Sequence, residues 1–287
     1  MVSVVIVNWN TKDKLRACLN SIQVQLVKPA QIIVIDNNSS DGSAEMVTSD
    51  FPKVILCPEL KNHGYAKGNN IGLKLATSEY ILTLNPDTEL PPDNLEQAVK
   101  VLAQHRECGA LSCKFIGPEG ETQKSVRGFP SILGILGQLT KLDRLLPETD
   151  FASYTLPNFD YNVSQIGPQP MGTYLLFRRS ILSKFTDPTQ PYDEQFPIFF
   201  NEVDLLYRMK KAGYACWYES SLLIFHHHGS STKQARKSMI WESHMSLVRY
   251  FKKHAVGLER IAIPFIAIAS IAGAAIRARG FSAGFRH

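Results

Sequence analysis

The sequence is poor in cysteine and has no cysteine pair of the C-x-x-C type. Its 287 residues include five cysteines, an odd number. This argues against a scaffold held by disulfides and against a cysteine-rich zinc module, and it favours a reducing compartment. No basic leader precedes the first apolar segment, so we expect no signal peptide.

Several common enzyme motifs are also missing. No G-x-G-x-x-G follows the first apolar segment, so the fingerprint of dinucleotide-binding enzymes is lacking. The absence of G-x-x-x-x-G-K-[ST] disfavours a nucleoside triphosphatase, and no G-x-S-x-G elbow indicates a hydrolase. Residues 8–14 contain no glycine, which ranks a sugar-phosphate nucleotidyltransferase low, since that class needs a glycine-rich basic loop there.

Positive charge is scarce in the body of the chain and concentrated near its C-terminal end. The net charge is +5, but residues 233–287 carry ten Lys and Arg against two acidic residues, so residues 1–232 carry −3. A nucleic-acid-binding protein normally spreads basic residues over its folded body. We therefore expect no nucleic-acid partner.

Strand-like and helix-like segments alternate over the first 115 residues. Residues 2–7 are apolar and β-branched, as in a buried parallel strand, and similar strands are predicted at 31–36, 53–57, 80–84 and 109–115. The alternation predicts an α/β fold with a doubly wound, mostly parallel sheet flanked by helices. Ligands of such sheets bind at the carboxyl ends of the strands.

The second half of the chain is less regular. Residues 117–169 are rich in proline, glycine and asparagine, and we predict no clear element there. Regular patterns return as a strand at 174–177, a helix at 202–212, a strand at 222–225 and a helix at 233–254.

Two polar clusters follow predicted strands. Asp36, with the loop 37–42, can accept hydrogen bonds from a ribose hydroxyl or a base; the alternative is ordinary turn chemistry. Asp87, in the segment 85–88, can hold a divalent cation that bridges phosphate oxygens. The alternative is an aspartate in a proline-containing turn.

Two further clusters contain a glutamate and histidines. Glu202 begins a helix after the aromatic segment 196–200, and desolvation there would suit a general base. The alternative is compensation of the helix dipole. His226 and His228 would share one face of a strand and can join a carboxylate on a metal, or they form a hydrogen-bonded strand end.

The C-terminal end contains an apolar run at 261–276, flanked by Arg260, Arg277 and Arg279. As a helix it would be about 24 Å long, shorter than the ~30 Å hydrocarbon core of a membrane. This favours a helix lying in the plane of an anionic membrane surface. The alternative is a helix packed on the domain or on a second subunit.

Taken together, these segments resemble one known family. SVVIVNWN, VIDNNSSDGS, NHGYAKGNN, LTLNPDTELPP, FFNEVDLLYRMKKAGY and HHHGSS occur in this order. The chain is similar to bacterial inverting glycosyltransferases of family 2 with the GT-A fold, and most similar to their rhamnosyltransferase-type branch. The resemblance covers about residues 1–255. It implies a nucleotide-sugar-binding half at 1–115, an acceptor-binding half at 116–255 and a basic apolar tail at 256–287.

The resemblance also assigns roles to single residues. It implies that Glu202 is the catalytic base and that Asp87, His226 and His228 hold the metal. The positions that it implies for the donor are Val7, Trp9, Asp36, Asn62, Gly68, Asn69, Asn85 and Asp87. The positions that it implies for the acceptor are Met171, Gly172, Thr173 and Asp204.

Asn85 and Asn201 stand where the family usually has acids. These departures are the best support for the alternative of a catalytically inactive glycan-binding protein at a membrane surface. If the chain is an enzyme of this family, the resemblance implies Mg²⁺ or Mn²⁺ as the metal and a dTDP- or UDP-sugar, for example of rhamnose, as the donor. It implies a saccharide or a lipid-linked saccharide as the acceptor. We expect a role in surface polysaccharide synthesis, a cytoplasmic protein with peripheral contact to the inner face of the cell membrane, and a homodimer as a candidate assembly.

Overall fold

The computed structural model of the protein describes residues 1–227, 236–257 and 259–279. The elements of the first part are β1 (Val2–Asn8), α1 (Lys12–Gln23), β2 (Gln31–Asp36), α2 (Ser43–Asp50), β3 (Ile55–Pro58), α3 (Tyr65–Leu75), β4 (Tyr80–Leu84), β5 (Thr88–Glu89), α4 (Asn94–Gln104) and β6 (Cys108–Ile116). Those of the second part are β7 (Val126–Arg127), α5 (Ile132–Thr140), α6 (Leu142–Leu145), a 3-10 turn (Asp150–Ala152), β8 (Gln165–Ile166), β9 (Gln169–Pro170), β10 (Tyr174–Arg178), α7 (Arg179–Leu182), α8 (Asn201–Lys211), β11 (Ala215–His226), α9 (Arg236–His254) and α10 (Glu259–Ala278).

The predicted α/β fold is confirmed. A nine-stranded sheet has the order β3-β2-β1-β4-β10-β6-β11-β5, with β8 paired to β11. Strands β1 to β4 pair in parallel, and β10 runs antiparallel to both β4 and β6. Strand β11 is parallel to β6, so it has the same direction as β4. The C-terminal ends of β1, β2, β4 and β11 and the start of β10 therefore lie at one edge of the sheet.

The sheet is buried on both faces, which explains the unbroken apolar pattern of β1. Val4 and Ile6 pack into a cluster with residues of α1, α2 and α4, whereas Val5 and Val7 pack into a cluster with residues of α3 and α8. Helix α3 approaches this second face very closely. A Cβ atom at Gly68 would lie 2.7 Å from Val7 Cγ1, so the helix cannot carry a larger side chain there without shifting.

The middle segment is more ordered than the sequence indicated. Within 117–169 the structure has β7, α5, α6, β8 and β9. Helix α5 begins after Ser131, whose hydroxyl accepts a hydrogen bond from Gly134 N. A Cβ atom at Gly137 would lie 2.0 Å from Phe151 O, so this glycine serves close packing. The glycines that obscured the helical pattern are here part of the packing.

Strand β11 is also longer than the predicted strand at 222–225. It runs from Ala215 to His226, with a shift in register between Glu219 and Leu223. Helix α9 begins at Arg236, and residues 233–235 of the predicted helix lie outside the described residues.

The apolar tail forms α10, which packs along α9. Its length and composition would suffice to cross a membrane, and Pro264 lies inside it. Gly273 and Ala274 are buried, whereas Ile261, Phe265 and Ile268 are 66–70% exposed. One side of the helix is thus covered by protein and the other presents large apolar side chains.

Candidate active site

Asp36 ends β2 and is fixed by the neighbouring strand. Its Oδ1 accepts a hydrogen bond from Asn8 Nδ2 at 2.8 Å, and its Oδ2 accepts one from Ser39 N at 2.9 Å. Asn8 is in turn held by the hydroxyl of Thr11, which donates to Asn8 Oδ1 at 2.6 Å. The hydrogen bond from Ser39 N is the one expected for an ordinary turn. The hydrogen bond from Asn8 comes from the neighbouring strand and sets the orientation of the carboxylate at this edge of the sheet.

The segment 62–69 lies against the same edge. Asn62 Oδ1 accepts a hydrogen bond from Gly64 N at 2.8 Å, which supports the turn before α3. Gly68 packs on Val7, the penultimate residue of β1. Asn69 is fully buried; its Nδ2 donates to Tyr65 O, and its Oδ1 accepts no hydrogen bond within the described part of the chain. The expected donor positions Val7, Asp36, Gly68 and Asn69 therefore belong to adjoining elements.

The loop before α8 is attached to the start of α3. Pro197 O accepts hydrogen bonds from Tyr65 N at 2.5 Å and from Ala66 N at 3.1 Å. These donors are among the first amides of α3, which have no partner within their own helix. The contact brings the N-termini of α3 and α8 together, although 137 positions separate Tyr65 and Glu202 in the sequence.

Residues 171–173 connect the end of β4 to Glu202. Thr173 O accepts a hydrogen bond from Asn85 N at 2.9 Å, and the Tyr65 hydroxyl donates to Gly172 O at 3.0 Å. A Cβ atom at Gly172 would lie 3.4 Å from the side chain of Glu202. The expected acceptor residues Gly172 and Thr173 thus lie between the Asp87 loop and Glu202. Met171 is half-buried and its N–H donates to Ser125 O at 2.8 Å.

Glu202 lies in the first turn of α8 and is 5% exposed. Burial raises the pKa of its carboxyl to about 7, while backbone hydrogen bonds partly oppose this shift. A carboxyl with such a pKa is ionised in a large fraction of molecules near neutral pH and still has substantial proton affinity. This is the property that a general base requires.

Asp87 and His226 form a pair of potential metal ligands. Both are buried, at 7% and 3% exposure, and His226 Nε2 lies 3.6 Å from Asp87 Oδ1. Their backbones are joined next to each other, because His227 N donates to Asp87 O at 2.9 Å and His226 pairs with Thr88. His228 lies outside the described residues.

This pair fits a divalent cation that is shared with a substrate. The described residues contain no group of three or more His, Cys, Asp or Glu side chains arranged for a metal. Mg²⁺ commonly takes one or two carboxylates together with substrate phosphates rather than an all-protein cage. One carboxylate and one imidazole at an edge where phosphates would lie meet that requirement.

Tyr65 connects the two carboxylates electrostatically. Burial raises the pKa of its phenol well above the usual value, and Tyr192, Glu202 and Asp87 raise it further through their charges. Glu202 and Asp87 therefore both lie within electrostatic range of one hydroxyl. The sequence did not single out Tyr65, although it belongs to the quoted segment NHGYAKGNN.

Asp204, an expected acceptor position, is held by side chains of α8 and α9. It is fully buried, and its oxygens accept hydrogen bonds from Arg208 Nε at 2.8 Å and His254 Nε2 at 2.7 Å. Lys253 Nζ lies 2.6 Å from the same carboxylate. Burial would raise the pKa of Asp204, but these partners outweigh it and lower the pKa to about 2. Asp204 therefore links α8 to α9 beneath the site.

The two asparagines at the departures from the family pattern have local partners. Asn201 is fully buried, and its Nδ2 donates to Ile198 O at 2.7 Å, which closes the turn before α8. Asn85 Nδ2 lies 3.4 Å from Thr173 Oγ1.

Trp9 follows β1 directly and is half-buried at the same edge.

Comparisons with known proteins place the chain in a family. The sequence profile described as Glycosyl transferase family 2 matches residues 3–185. The chain is 24% identical over 258 residues to the N-acetylglucosaminyl-diphospho-decaprenol L-rhamnosyltransferase of Mycobacterium tuberculosis, which covers 86% of this chain and 82% of that protein. It is 34% identical over 107 residues to the undecaprenyl-phosphate 4-deoxy-4-formamido-L-arabinose transferase of Serratia proteamaculans, which covers 35% of this chain and 33% of that protein.

Solved structures share the fold at low sequence identity. The mannosyltransferase PcManGT from Pyrobaculum calidifontis, in complex with GDP-Man and Mn²⁺, superposes with a TM-score of 0.59 at 18% identity, covering 98% of this chain and 76% of that one. S. aureus TarS 1-349 in complex with UDP superposes with a TM-score of 0.54 at 16% identity, covering 98% and 72%.

The fold is that of a glycosyltransferase with the GT-A fold. The chain belongs to glycosyltransferase family 2. The resemblance seen in the sequence is thereby confirmed, and the enzyme is supported over a nucleotidyltransferase or an inactive binding protein.

Proposed function

We propose that the protein transfers a sugar, with rhamnose as the first candidate, from a dTDP- or UDP-sugar to a saccharide or lipid-linked saccharide, with inversion at the anomeric carbon. The product would feed surface polysaccharide synthesis. The observation that carries the proposal is the meeting of the Asp87–His226 pair and Glu202 around residues 171–173, where Tyr65 donates to Gly172 O and Asn85 N to Thr173 O. These residues come from five separate elements or loops, and simple turn or capping roles do not require them to converge.

The donor would lie along the sheet edge. Asp36, oriented by Asn8, is suited to accept hydrogen bonds from the ribose or base, and Val7 and Trp9 offer apolar surface beside it. Asn69 and Gly68 lie on α3, next to the place where the diphosphate would reach the end of β4. Asn62 and Asn85 complete the proposed donor-binding set.

Glu202 would act as the general base. It takes the proton from the acceptor hydroxyl, whose oxygen forms a bond to the anomeric carbon. The bond from that carbon to the diphosphate oxygen breaks on the opposite face, and the nucleoside diphosphate leaves. Gly172 leaves room for the acceptor beside the carboxylate, with Met171 and Thr173 as neighbouring contacts. A positioned base is typically worth ~10²–10⁴ in rate.

Asp87 and His226 would hold Mg²⁺ or Mn²⁺, with His228 as a further candidate. When bound, such an ion stabilises the negative charge that develops on the departing diphosphate. The Mn²⁺ in the complex of the Pyrobaculum mannosyltransferase supports this assignment. Because residue 85 is an asparagine, Asp87 would carry the carboxylate contribution at this turn alone.

The names of the relatives support a polyprenyl-linked substrate. The Mycobacterium relative is named for a decaprenol diphosphate and for rhamnose, and the Serratia relative for undecaprenyl phosphate. A substrate of this kind would require the enzyme to work at a membrane surface.

An apolar surface, formed by the outer sides of α5 and α10, would meet the inner face of the cell membrane. Leu133, Leu136 and Leu139 of α5 are 42–44% exposed, and Phe265 of α10 is 70% exposed. Leu136, Leu139 and Phe265 line a shared groove of about 220 Å³. Arg260, Arg277 and Arg279 lie near the two ends of α10, and this charge suits an anionic lipid surface. A second copy of the chain is the other candidate partner for this surface.

A thermal-shift screen with product analysis tests the proposed function. dTDP-rhamnose and UDP-sugars are added to the full chain with Mg²⁺ or Mn²⁺; the correct donor should raise Tm according to its Kd, and release of nucleoside diphosphate reports turnover. Glu202→Gln should keep the donor-induced shift and lose turnover. Asp87→Ala should lose the metal-dependent part of the shift.

Glu89→Gln is the matched control, because Glu89 is a neighbouring carboxylate that pairs with His227 Nε2 at 2.8 Å and not with His226. It should behave like the wild type. Turnover retained in full by Glu202→Gln, or no shift with any nucleotide sugar, would contradict the proposal.

A further inference from the structure

A side chain from the middle segment holds the ring of His226. Gln123 Oε1 lies 2.8 Å from His226 Nδ1, and Gln123 Nε2 donates to His226 O at 3.0 Å. The backbone of Gln123 is itself anchored, because its N–H donates to Phe115 O at 2.9 Å and Ile116 bridges to Thr122. One amide group thus binds both the ring and the backbone of His226.

These two hydrogen bonds fix the protonation site of the neutral ring. The carbonyl oxygen of His226 can only accept, so the amide must point its nitrogen to that carbonyl and its oxygen to Nδ1. An amide oxygen also can only accept, so Nδ1 carries the proton. The neutral ring then has its lone pair on Nε2, the atom that lies 3.6 Å from Asp87 Oδ1.

Two acceptor atoms therefore face each other across the turn after β4. Their separation of 3.6 Å exceeds the usual 2.7–3.2 Å of an N–H···O hydrogen bond. A cation that contacts both atoms would remove their mutual repulsion. Histidine ligands of metals commonly donate their other ring N–H to a carbonyl or carboxylate, which orients the ring.

We propose that Gln123 is a positioning residue, which sets the tautomer and orientation of His226 so that Nε2 and Asp87 form adjacent ligands of a divalent cation. This inference rests on the proposed metal site and adds a residue from outside it. Gln123 does not contact the ion; it acts through the imidazole.

Mn²⁺ affinity of the full chain tests this role without any turnover. The dissociation constant is measured by electron paramagnetic resonance of unbound Mn²⁺, with UDP present, for the wild type, Gln123→Met and Gln123→Glu. Gln123→Met keeps the side-chain length but cannot accept from Nδ1–H, and it should weaken Mn²⁺ binding about 10–100-fold. Gln123→Glu keeps the acceptor and should stay within a few-fold of the wild type. Glu89→Gln, beside the neighbouring His227, should not change the affinity.

The tautomer of His226 gives a second readout, which a merely structural role would not produce. In ¹⁵N-histidine-labelled wild-type protein without metal, the His226 signal at high pH should be that of the Nδ1–H form, and in Gln123→Met this preference should disappear. A wild-type signal of the Nε2–H form would overturn the inference even if the variant did not fold.

Asp87→Ala distinguishes a failure of the positioning role of Gln123 from a failure of the proposed metal site. If it abolishes Mn²⁺ binding while Gln123→Met binds like the wild type, the positioning role is wrong and the metal site stands. If Asp87→Ala binds Mn²⁺ like the wild type, the metal site itself is wrong, and the inference falls with it.

Discussion

The chemistry of the proposed base depends on a carboxyl that is costly to ionise. Glu202 is nearly inaccessible to water, and burial raises its pKa to about 7 from 4.5. The folded protein therefore binds a proton at Glu202 more tightly than the unfolded chain does. Below pH 4.5 the group is protonated in both states and has no effect on the free energy of unfolding. Between pH 4.5 and about 7 the carboxyl ionises in the unfolded chain but stays largely protonated in the folded protein. The free energy of unfolding therefore falls progressively over this range.

Replacing Glu202 by Gln should separate activity from stability. The wild-type kcat/KM should rise with pH up to about 7 and then level off, because the base must be ionised. Glu202→Gln should lose ~10²–10⁴ in kcat. The same variant should be more stable than the wild type at pH 8, by up to ~3 kcal/mol, and equal to it near pH 4.5. Initial rates and urea unfolding at both pH values measure these effects.

Glu45→Gln is the control for this comparison. Glu45 also lies in the first turn of a helix, α2, but it is exposed to solvent. It should alter neither the pH profile nor the pH dependence of stability. Equal stability of Glu202→Gln and the wild type at pH 8 would mean that the carboxylate is solvated and that burial does not set its pKa.

Sequence reasoning singled out candidate site residues where a strand end or a helix start marked them. Asp36 and His226 end strands, Asp87 follows one, and Glu202 lies in the first turn of a helix. Asp204 was assigned to the acceptor side along with Glu202, and the structure gives it partners on α8 and α9. At about 100° per residue, two positions along a helix turn the side chain to nearly the opposite side. Gln123 had no local signal, since its role arises from a tertiary contact with a strand end 103 positions away.

At the scale of the elements, helix α8 is held from two directions. Its first turn faces the site through Glu202, and Asp204 on its other side binds His254 and Lys253 at the end of α9. The carboxylate of Asp204 also binds Arg208 of its own helix. The position and orientation of the proposed base thus depend on a buried ion cluster on another side of the same helix.

Asp204→Asn should destabilise the protein strongly. The change removes the negative charge that faces Arg208, Lys253 and His254, and breaking a buried ion pair in this way typically costs about 3–5 kcal/mol. Because these partners lower the pKa of Asp204 to about 2, its stabilising contribution is present above about pH 4 and is lost as the pH falls towards 2. Urea unfolding at pH 7 measures the loss.

Asp193→Asn is the matched control, because it removes only the outer partner of Lys253 and leaves Asp204 intact. Its effect should stay below about 1 kcal/mol. If Asp204→Asn instead kept the stability of the wild type and raised only the KM for the acceptor, the acceptor role expected from the sequence would be correct.

Strands and helices were predictable from the sequence where their hydrophobic pattern is not interrupted. Strands β1 and β2 have apolar patterns without interruption, and the structure has them close to the predicted bounds of 2–7 and 31–36. Helix α5 was missed because two of its nine residues are glycines used for packing against residues 151–154. Strand β11 was shortened to residues 222–225 because its irregularity after Glu219 interrupts the alternation of faces.

For the whole molecule, alternation of strands and helices was sufficient to predict a mostly parallel sheet. It could not predict that β10 inserts antiparallel between β4 and β6. That reversal matters for the site, because it places the start of β10, and thus Gly172 and Thr173, at the edge where the parallel strands end. A strand's direction within a sheet depends on the path of its connections, and the irregular segment 117–169 gave no signal for that path.

The apolar surface of α5 and α10 involves two parts of the chain that are distant in sequence. Helix α10 alone was expected at the membrane, but α5 contributes Leu136 and Leu139 to the same groove. Ile135 of α5 also packs in one cluster with Val203 of α8, next to Glu202. A membrane bound at this surface would thus be connected by direct packing to the helix that carries the proposed base.

Binding of the full chain to lipid vesicles should therefore depend on both helices. Vesicles containing phosphatidylglycerol should bind the wild type more tightly than phosphatidylcholine vesicles do, and salt should reduce the difference. Phe265→Glu and Leu136→Glu should each weaken binding about tenfold or more in flotation assays, since burying one such side chain is worth ~1.5–3 kcal/mol. Leu60→Glu, at a residue that is 97% exposed outside this surface, is the control and should bind normally. If Phe265→Glu leaves vesicle binding intact but converts a dimer to a monomer in sedimentation, the surface joins two copies of the chain instead. If Phe265→Glu weakens vesicle binding and Leu136→Glu does not, the membrane contact is restricted to α10.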